Sequence, residues 1–264
     1  TAVFVISDNL SAEFIFKAKN AGIVEVFSRN GFVAREAAER IVSYVMEKRR
    51  EWQEASDKYG TFEKGSGPKK EIIKKEYINR NIKQAVILTY NTKGGVGKST
   101  VAANLAVAIK TSPYMSGQRI ALVDFDCGGA NVSTVCHISD SDAINRNLAI
   151  WENEPEDLSA EEVDDLMLSG PHGLMVLPAP LNMIQAEKVT YDLADKILKV
   201  MKRFFDIIVI DGAPNISAPI DSAILHATHV LMVGNPEGQS VKQLARIVRL
   251  LEPDPNYPEK KDMS

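Results

Sequence analysis

The feature that most constrains this fold is a glycine-rich loop that lies between an apolar run and an Ala-rich segment. The loop reads Gly94-Gly95-Val96-Gly97-Lys98-Ser99-Thr100. It follows the apolar run 85–90 and precedes a predicted helix over 99–109. Glycines let a short loop curl so that several backbone N–H groups converge on an anion, and the following helix adds its positive N-terminus. The pattern predicts a strand, a phosphate-binding loop and a helix, in that order.

Three residues after the glycines match the needs of a nucleotide and its metal ion. Lys98 can reach the β- and γ-phosphates, and a hydroxyl group of Ser99 or Thr100 can complete a magnesium site. The general form of this loop begins with a glycine, whereas this chain has Thr92 at that position and Lys93 next. The whole segment 93–100 is therefore the predicted nucleotide-binding loop.

The remaining sequence alternates apolar strands with helices. Nearly continuous apolar runs predict buried strands at 85–90, 120–125, 174–177, 206–210 and 230–233. Such runs are typical of a parallel sheet covered on both faces. Helices are predicted at 99–109, 159–168, 184–204, 218–227 and 240–251. The predicted fold class is α/β, with a mostly parallel sheet flanked by helices.

Three aspartates follow two of these strands. Asp124 and Asp126 stand at the end of one strand, and Asp211 at the end of another. Ligands of open α/β sheets gather at the carboxyl ends of strands. Mg²⁺ prefers oxygen ligands and keeps part of its water shell, so Asp211 is a candidate for holding it through water. An aspartate at a strand end is also a common turn residue or helix cap, and each position alone leaves both interpretations open.

Three segments together resemble the deviant Walker A ATPases, the ParA/MinD group. They are the octapeptide that begins at Lys93, the stretch Val123-Asp124-Phe125-Asp126 with 127–131 after it, and the strand 205–211 with Gly212-Ala213-Pro214. The resemblance runs from residue 84 to 252 and implies a P-loop NTPase fold. It also implies ATP and Mg²⁺ as cofactors, slow ATP hydrolysis and a homodimer that forms on ATP.

The same resemblance assigns roles to single residues. Lys93 is the signature lysine that touches the phosphates bound by the other subunit. Asp126 orients the attacking water, and Asp124 supports the magnesium shell. Asn131 contacts phosphate or water. Pro236 follows the last strand, at the sheet edge where loops line a nucleotide pocket, and is a further candidate there.

The first 56 residues resemble the last two βα units of a receiver domain, which has a flavodoxin-like fold. A charged linker is predicted over 57–83 and a polar tail over 253–264. A receiver-like unit joined to a MinD-like ATPase is similar to the CpaE/TadZ subgroup. That resemblance implies a role in localisation and assembly of a Tad-type pilus, with pilus or secretion components as partners and a polar focus in the cytoplasm.

Composition bears on the alternative functions. The net charge of −4 weighs against the basic surface of a ParA-type DNA-segregation ATPase. The proline-broken segment 253–264 is unlike the amphipathic membrane helix of a MinD-like division or flagellar positioning ATPase. A nucleotide-binding scaffold without turnover is a third alternative. No window reaches the ~18 apolar residues of a membrane span, and two cysteines favour reduced thiols in the cytoplasm.

Overall fold

The computed structural model describes residues 84–234 without a gap, together with 2–7, 23–28 and scattered positions between 10 and 47. The strands are β1 (Ala2–Ser7), β2 (Ile23–Ser28), β3 (Ala85–Tyr90), β4 (Ile120–Asp124), β5 (Leu168–Ser169), β6 (Met175–Leu177), β7 (Ile207–Asp211) and β8 (His229–Val233). The α-helices of residues 84–234 are α1 (Lys98–Thr111), α2 (Val132–Val135), α3 (Asp140–Asn145), α4 (Ala160–Asp165), α5 (Met183–Ala186), α6 (Tyr191–Met201) and α7 (Ala218–His226). The predicted linker 57–83, the predicted helix 240–251, Pro236 and the tail 253–264 lie outside the described residues.

All eight strands form one sheet in the order β2-β1-β8-β3-β7-β4-β6-β5. Every neighbouring pair is parallel except β5 and β6, which are antiparallel. The prediction of an α/β fold with a mostly parallel sheet is confirmed. Strand β3 lies between β7 and β8, so the loop that follows it emerges in the middle of the sheet.

The apolar runs form strands because both faces of the sheet are covered. Strands β3, β4, β7 and β8 are buried along their whole length. Alternate residues of β3 enter separate cores, with Val86 and Leu88 on one face and Ile87 on the other. Helix α1 packs on the face of Ile87, and helices α6 and α7 pack on the opposite face. Burial on both faces explains why these strands show no alternation of polar and apolar residues.

Two predicted helices are shorter in the structure. The predicted helix 184–204 is divided into α5 and α6, and the Thr190 side chain caps α6 by accepting a hydrogen bond from the Leu193 N–H at 3.2 Å. The predicted helix 159–168 ends at Asp165, and the chain then forms β5. Ser159 and Glu162 make the reciprocal hydrogen bonds of a capping box at the start of α4.

The N-terminal strands extend the same sheet. Strand β1 pairs with β8 from Ala2 to Ile6, and β2 pairs with β1 on its other side. The ring of Phe4 stacks on His229, with centroids 6.2 Å apart. The structure thus attaches residues 2–7 to segment 84–234 by backbone pairing, and the division into a receiver-like domain 1–56 and an ATPase domain 84–252 stays a prediction.

Two other sequence observations have structural counterparts. Cys127 and Cys136 are both free thiols. Among the described residues, no helix has the length and apolar character needed to cross a membrane.

Candidate functional site

Three neighbouring strands bring the predicted site residues to one edge of the sheet. Strands β3, β7 and β4 are adjacent and parallel, so their carboxyl ends meet there. The loop after β3 carries Lys93 and Lys98, β4 ends at Asp124, and β7 ends at Asp211. Asp124 lies directly opposite Asp211 in the register of β4 and β7. This edge is the candidate nucleotide site.

The glycines of the loop have conformations that other residues rarely adopt. Gly95 has φ 71° and Gly97 has φ 92°, and Gly97 is the N-cap of α1. A Cβ added at Gly94 or Gly95 would have no atom within 4 Å, so the loop borders open space. A concave backbone next to the start of a 14-residue helix is the geometry that binds phosphate groups.

Lys98 is buried at the base of this loop. Its side chain is only 6% exposed, and its ammonium group lies 3.5 Å from the backbone carbonyl oxygen of Lys93. Burial lowers the pKa of Lys98, and the charges of Asp211 and Asp126 partly offset that effect. The ammonium group is thus held close to both acids and to the loop backbone, where an incoming polyphosphate would meet it.

Asp211 has the features expected of a residue that supports a cation. It is fully buried, and burial is the main cause that raises its pKa to about 6. Its Oδ1 lies 3.5 Å from the hydroxyl oxygen of Thr89, and the nearby Ser99 hydroxyl partly offsets the rise in the pKa of the carboxyl group. Its Oδ2 has no hydrogen-bond partner. A buried carboxylate oxygen without a partner is costly, and a magnesium ion with its water shell would satisfy it.

The described residues contain no group of three or more His, Cys, Asp or Glu side chains that could hold a metal ion alone. Magnesium in nucleotide sites commonly binds to substrate phosphates and to only one or two protein groups. Ser99 and Asp211 fit that role. The residues present therefore fit Mg²⁺ bound together with a nucleotide.

Asp124 uses both of its oxygens within the protein. Oδ1 accepts the N–H of Asp126 at 2.9 Å, and Oδ2 accepts the N–H of Val132 at 3.1 Å. Burial and the nearby Asp211 charge raise the pKa of Asp124 well above its ordinary value. Asp124 therefore holds the two ends of the segment 126–132, called the switch segment below.

Asp126 and Asn131 approach each other across the switch segment. The Oδ1 of Asp126 accepts the Gly129 N–H at 3.0 Å. A Cβ added at Gly129 would lie 2.8 Å from both Asp126 Oδ2 and Asn131 Nδ2, so only glycine fits without a shift. Asn131 is exposed and occupies the N-cap of α2 without a capping hydrogen bond from its side chain. Its amide is thus available to a ligand of the switch segment.

The structure gathers the predicted residues 93–100, 124, 126, 131 and 211 at this edge, and Pro236 lies outside the described residues. Sequence reasoning missed two neighbours, Thr89 and Asn91. Asn91 accepts the Lys93 N–H at 2.9 Å and donates its amide to the carbonyl oxygen of Val233. An asparagine two residues before a loop N–H is a known turn signal and could have indicated the first contact. Nothing in the sequence indicated the contact with Asp211 that Thr89 makes.

A cavity of about 580 Å³ opens beside the switch segment. Its walls include residues 125–129, residues at the end of α5 and just after it, and residues 213–215 and 217–219. Met183, Ile184 and Ile216 are large apolar side chains with 63% or more of their surface exposed. They belong to α5 and to the loop after β7, two of the segments that contribute to these walls.

Comparisons with known proteins agree with this geometry. A family model described as an AAA domain matches residues 84–256. The chain is 28% identical over 183 residues to the septum site-determining protein MinD of Helicobacter pylori, an alignment that covers 67% of this chain and 62% of that protein. It is 29% identical over 173 residues to the antiactivator FleN of Pseudomonas aeruginosa, covering 64% of this chain and 57% of that protein. The chain thus spans less than two-thirds of the length of these relatives.

A solved structure shares the fold. The septum site-determining protein MinD of Pyrococcus horikoshii, complexed with Mg-ADP, superposes with a TM-score of 0.51 at 25% identity. The superposition covers 63% of this chain and 65% of that one. The similarity in fold is therefore to a protein that was solved with a magnesium nucleotide.

Proposed function

This chain belongs to the ParA/MinD-type P-loop ATPases, in the family described as an AAA domain, and from that we propose that it is an ATP-dependent dimerising switch. The observation that carries the proposal is the convergence of Lys98, Asp126 and Asp211 beside a loop that is open to phosphate. The two acids act on the same buried ammonium group. A site of this kind provides a cation for phosphate, an oxygen ligand for magnesium and a carboxylate for water.

Each residue has a distinct part in the proposed reaction. The loop N–H groups and Lys98 bind the β- and γ-phosphates, while Ser99 and Asp211 hold Mg²⁺. Mg²⁺ supplies charge neutralisation of the phosphate oxygens. Asp126 accepts a hydrogen bond from the attacking water and orients it toward the γ-phosphate. Asn131 lies next to Asp126 and contacts the same water or a phosphate oxygen.

Lys93 is given a role in dimerisation because the loop resembles that of the deviant Walker A ATPases. Lys93 is partly exposed at the mouth of the loop, and its backbone is held by Asn91 and Lys98. Its side chain is proposed to cross to the phosphates bound by a second copy. A lysine delivered in this way stabilises charge on the transferring phosphoryl group. Binding of ATP and formation of the dimer are then one coupled event.

The proposed cellular role is to mark a site in the cell. Resemblance to the CpaE/TadZ arrangement gives assembly of a Tad-type pilus as the specific form of that role. The relatives MinD and FleN support the alternative of a division-site or flagellar positioning ATPase. If the protein acts in pilus assembly, the tagged full-length protein is expected to co-purify with pilus secretion components. Failure to co-purify from a cell that assembles the pilus would overturn that role.

Nucleotide binding is tested by Lys98→Ala, with Lys110→Ala on the same helix as the matched control. Hydrogen bonds to a charged group contribute about 1.5–3 kcal/mol, so Lys98→Ala is expected to weaken binding of a fluorescent ATP analogue by roughly 10- to 100-fold. Lys110 lies in the last turn of α1, and its removal is expected to leave the affinity unchanged. Equal affinities of the parent and Lys98→Ala would refute the proposed site.

The switch is tested by sedimentation velocity with Mg-ATP, with Mg-ADP and without nucleotide. Asp126→Ala, which is expected to slow hydrolysis, is run in parallel. A dimer that forms only with ATP and is lost in Lys93→Ala is the expected result. One unchanged mass in all three conditions would instead identify a scaffold without a nucleotide switch.

A further inference from the structure

Asn91 joins the start of the phosphate loop to a different strand of the sheet. Its side chain is 1% exposed. The carbonyl oxygen of its amide accepts the N–H of Lys93 at 2.9 Å, and the NH₂ group donates to the backbone carbonyl of Val233. Val233 is the last residue of β8 and is 142 residues away in sequence. One side chain thus connects the carboxyl ends of two strands, β3 and β8.

The peptide of Lys93 is held on both sides by this arrangement. Its N–H is bonded to Asn91, and its carbonyl oxygen lies 3.5 Å from the ammonium group of Lys98. When Lys98 turns to a phosphate, the hydrogen bond that the Lys93 N–H donates to Asn91 still holds this peptide. The anchor on the other side is firm, because β8 is buried and pairs with strands on both sides.

We infer that Asn91 is a positioning residue that fixes the phosphate loop against β8, so that the loop is preformed before nucleotide binds. The inference rests on the proposed nucleotide function. An amide is required, because one end of the side chain must accept a hydrogen bond and the other must donate one. Aspartate keeps the shape and the bond from Lys93 but places an acceptor against the carbonyl of Val233.

The variants Asn91→Asp and Asn91→Ser test this role in the full-length protein. Serine is neutral and can still accept an N–H two residues ahead, but it is too short to span the distance to β8. It therefore separates the loss of the Val233 bond from the added charge of aspartate. Any effect that the two variants share comes from the lost bond.

Asn147 offers a matched control. It is also fully buried, accepts the N–H two residues ahead, from Ala149 at 3.0 Å, and donates its amide to the carbonyl of Ala143 at 2.9 Å. It lies outside the phosphate loop and the switch segment. Asn147→Asp therefore reproduces the chemical change of Asn91→Asp away from the site and reports on stability alone.

The first readout is hydrogen exchange of residues 92–97 without nucleotide. Both Asn91 variants are expected to exchange faster there, and Asn147→Asp is expected to match the parent in that segment. The second readout is the affinity for a fluorescent ATP analogue, measured where all proteins are folded. A lost hydrogen bond of ordinary strength predicts binding weaker by roughly three- to tenfold in both Asn91 variants.

Unchanged exchange of residues 92–97 in Asn91→Ser would overturn the inference, whatever the affinity. Faster exchange together with parental affinity would also overturn it, because the loop would then not need to be preformed. A parent protein that binds no ATP would refute the proposed function instead. The exchange readout needs no nucleotide, so the two failures are distinguishable.

Discussion

Acid is expected to destabilise this protein through His229, the first residue of β8. Its ring packs against the aromatic rings of Phe4 and Tyr44, with centroids 6.2 Å and 6.1 Å away. Its Nδ1 is 2.7 Å from the hydroxyl oxygen of Thr228. Burial among these groups lowers the pKa of His229 from 6.5 to about 4. The folded protein therefore resists protonation of a ring that the unfolded chain protonates readily.

The sign and size of the effect follow from linkage. As the pH falls below 6.5, the unfolded state binds a proton that the folded state does not, so stability is lost on the way down to about pH 4. One pKa unit corresponds to about 1.4 kcal/mol, which gives a loss of about 2 kcal/mol at pH 5 and about 3 kcal/mol at pH 4. The contribution of His229 becomes constant only above about pH 7.5, where the histidine of the unfolded chain is almost fully neutral.

The measurement is urea unfolding of the parent and of His229→Phe at several pH values between 7.5 and 4. Asp211 also titrates in this range, since burial raises its pKa to about 6. Its protonation stabilises the folded protein as the pH falls and so opposes the effect of His229. The quantity to compare is therefore the difference between the two proteins at each pH. Phenylalanine keeps the aromatic packing and removes the proton site, so the parent is expected to lose stability relative to the variant as the pH falls.

The exposed residue His137 provides the control. It has φ 55°, a conformation that asparagine tolerates, so His137→Asn is expected to leave the backbone unchanged. Its unfolding is expected to follow that of the parent at every pH. A constant difference between the parent and His229→Phe from pH 7.5 to pH 4 would refute the assignment of a depressed pKa to His229.

Two further predictions concern glycines. Gly129→Ala places a Cβ 2.8 Å from the carboxylate of Asp126. Because this displaces the carboxylate, the rate of ATP hydrolysis is expected to fall by about tenfold or more, while ATP binding persists. In Gly128→Ala the added Cβ lies 3.7 Å from the same carboxylate, so this variant is expected to hydrolyse ATP at the parental rate. Equal hydrolysis rates for the parent, Gly128→Ala and Gly129→Ala would contradict the argument. Gly212→Ala places a Cβ 2.5 Å from a backbone carbonyl of β3. Thermal unfolding is therefore expected to show a variant that is less stable than the parent by about 1–3 kcal/mol. A variant as stable as the parent would contradict this prediction.

Local pattern was sufficient to predict the centre of the fold. Strand β3 was predicted with the bounds that the structure shows, and α1 differs from its prediction by one or two residues at each end. Both are determined by adjacent residues, namely an apolar run, a glycine loop and an Ala-rich segment. The acids at the ends of β4 and β7 were also identified, because a carboxylate directly after a buried strand is a local signal.

Contacts between distant segments could not be predicted in the same way. The break between α5 and α6 depends on the cap from Thr190, which competes with an apolar pattern that continues through it. The short antiparallel strand β5 has two residues, too few for any periodicity. Asn91 resembles a simple turn residue until Val233, far along the chain, is placed beside it. Pairing of β1 with β8 likewise joins opposite ends of the described chain.

The two buried acids at the site have different consequences for the proposed switch. Asp124 and Asp211 lie opposite each other on β4 and β7, yet Asp124 has given both oxygens to backbone N–H groups while Asp211 keeps one without a partner. The donors to Asp124 are Asp126 and Val132, the two ends of the switch segment. Because these ends are held, the proposed switch is expected to change conformation on hydrolysis within residues 127–131. Cys127, Gly128 and Gly129 of that stretch border the cavity beside the switch, so that surface is where the two nucleotide states are expected to differ.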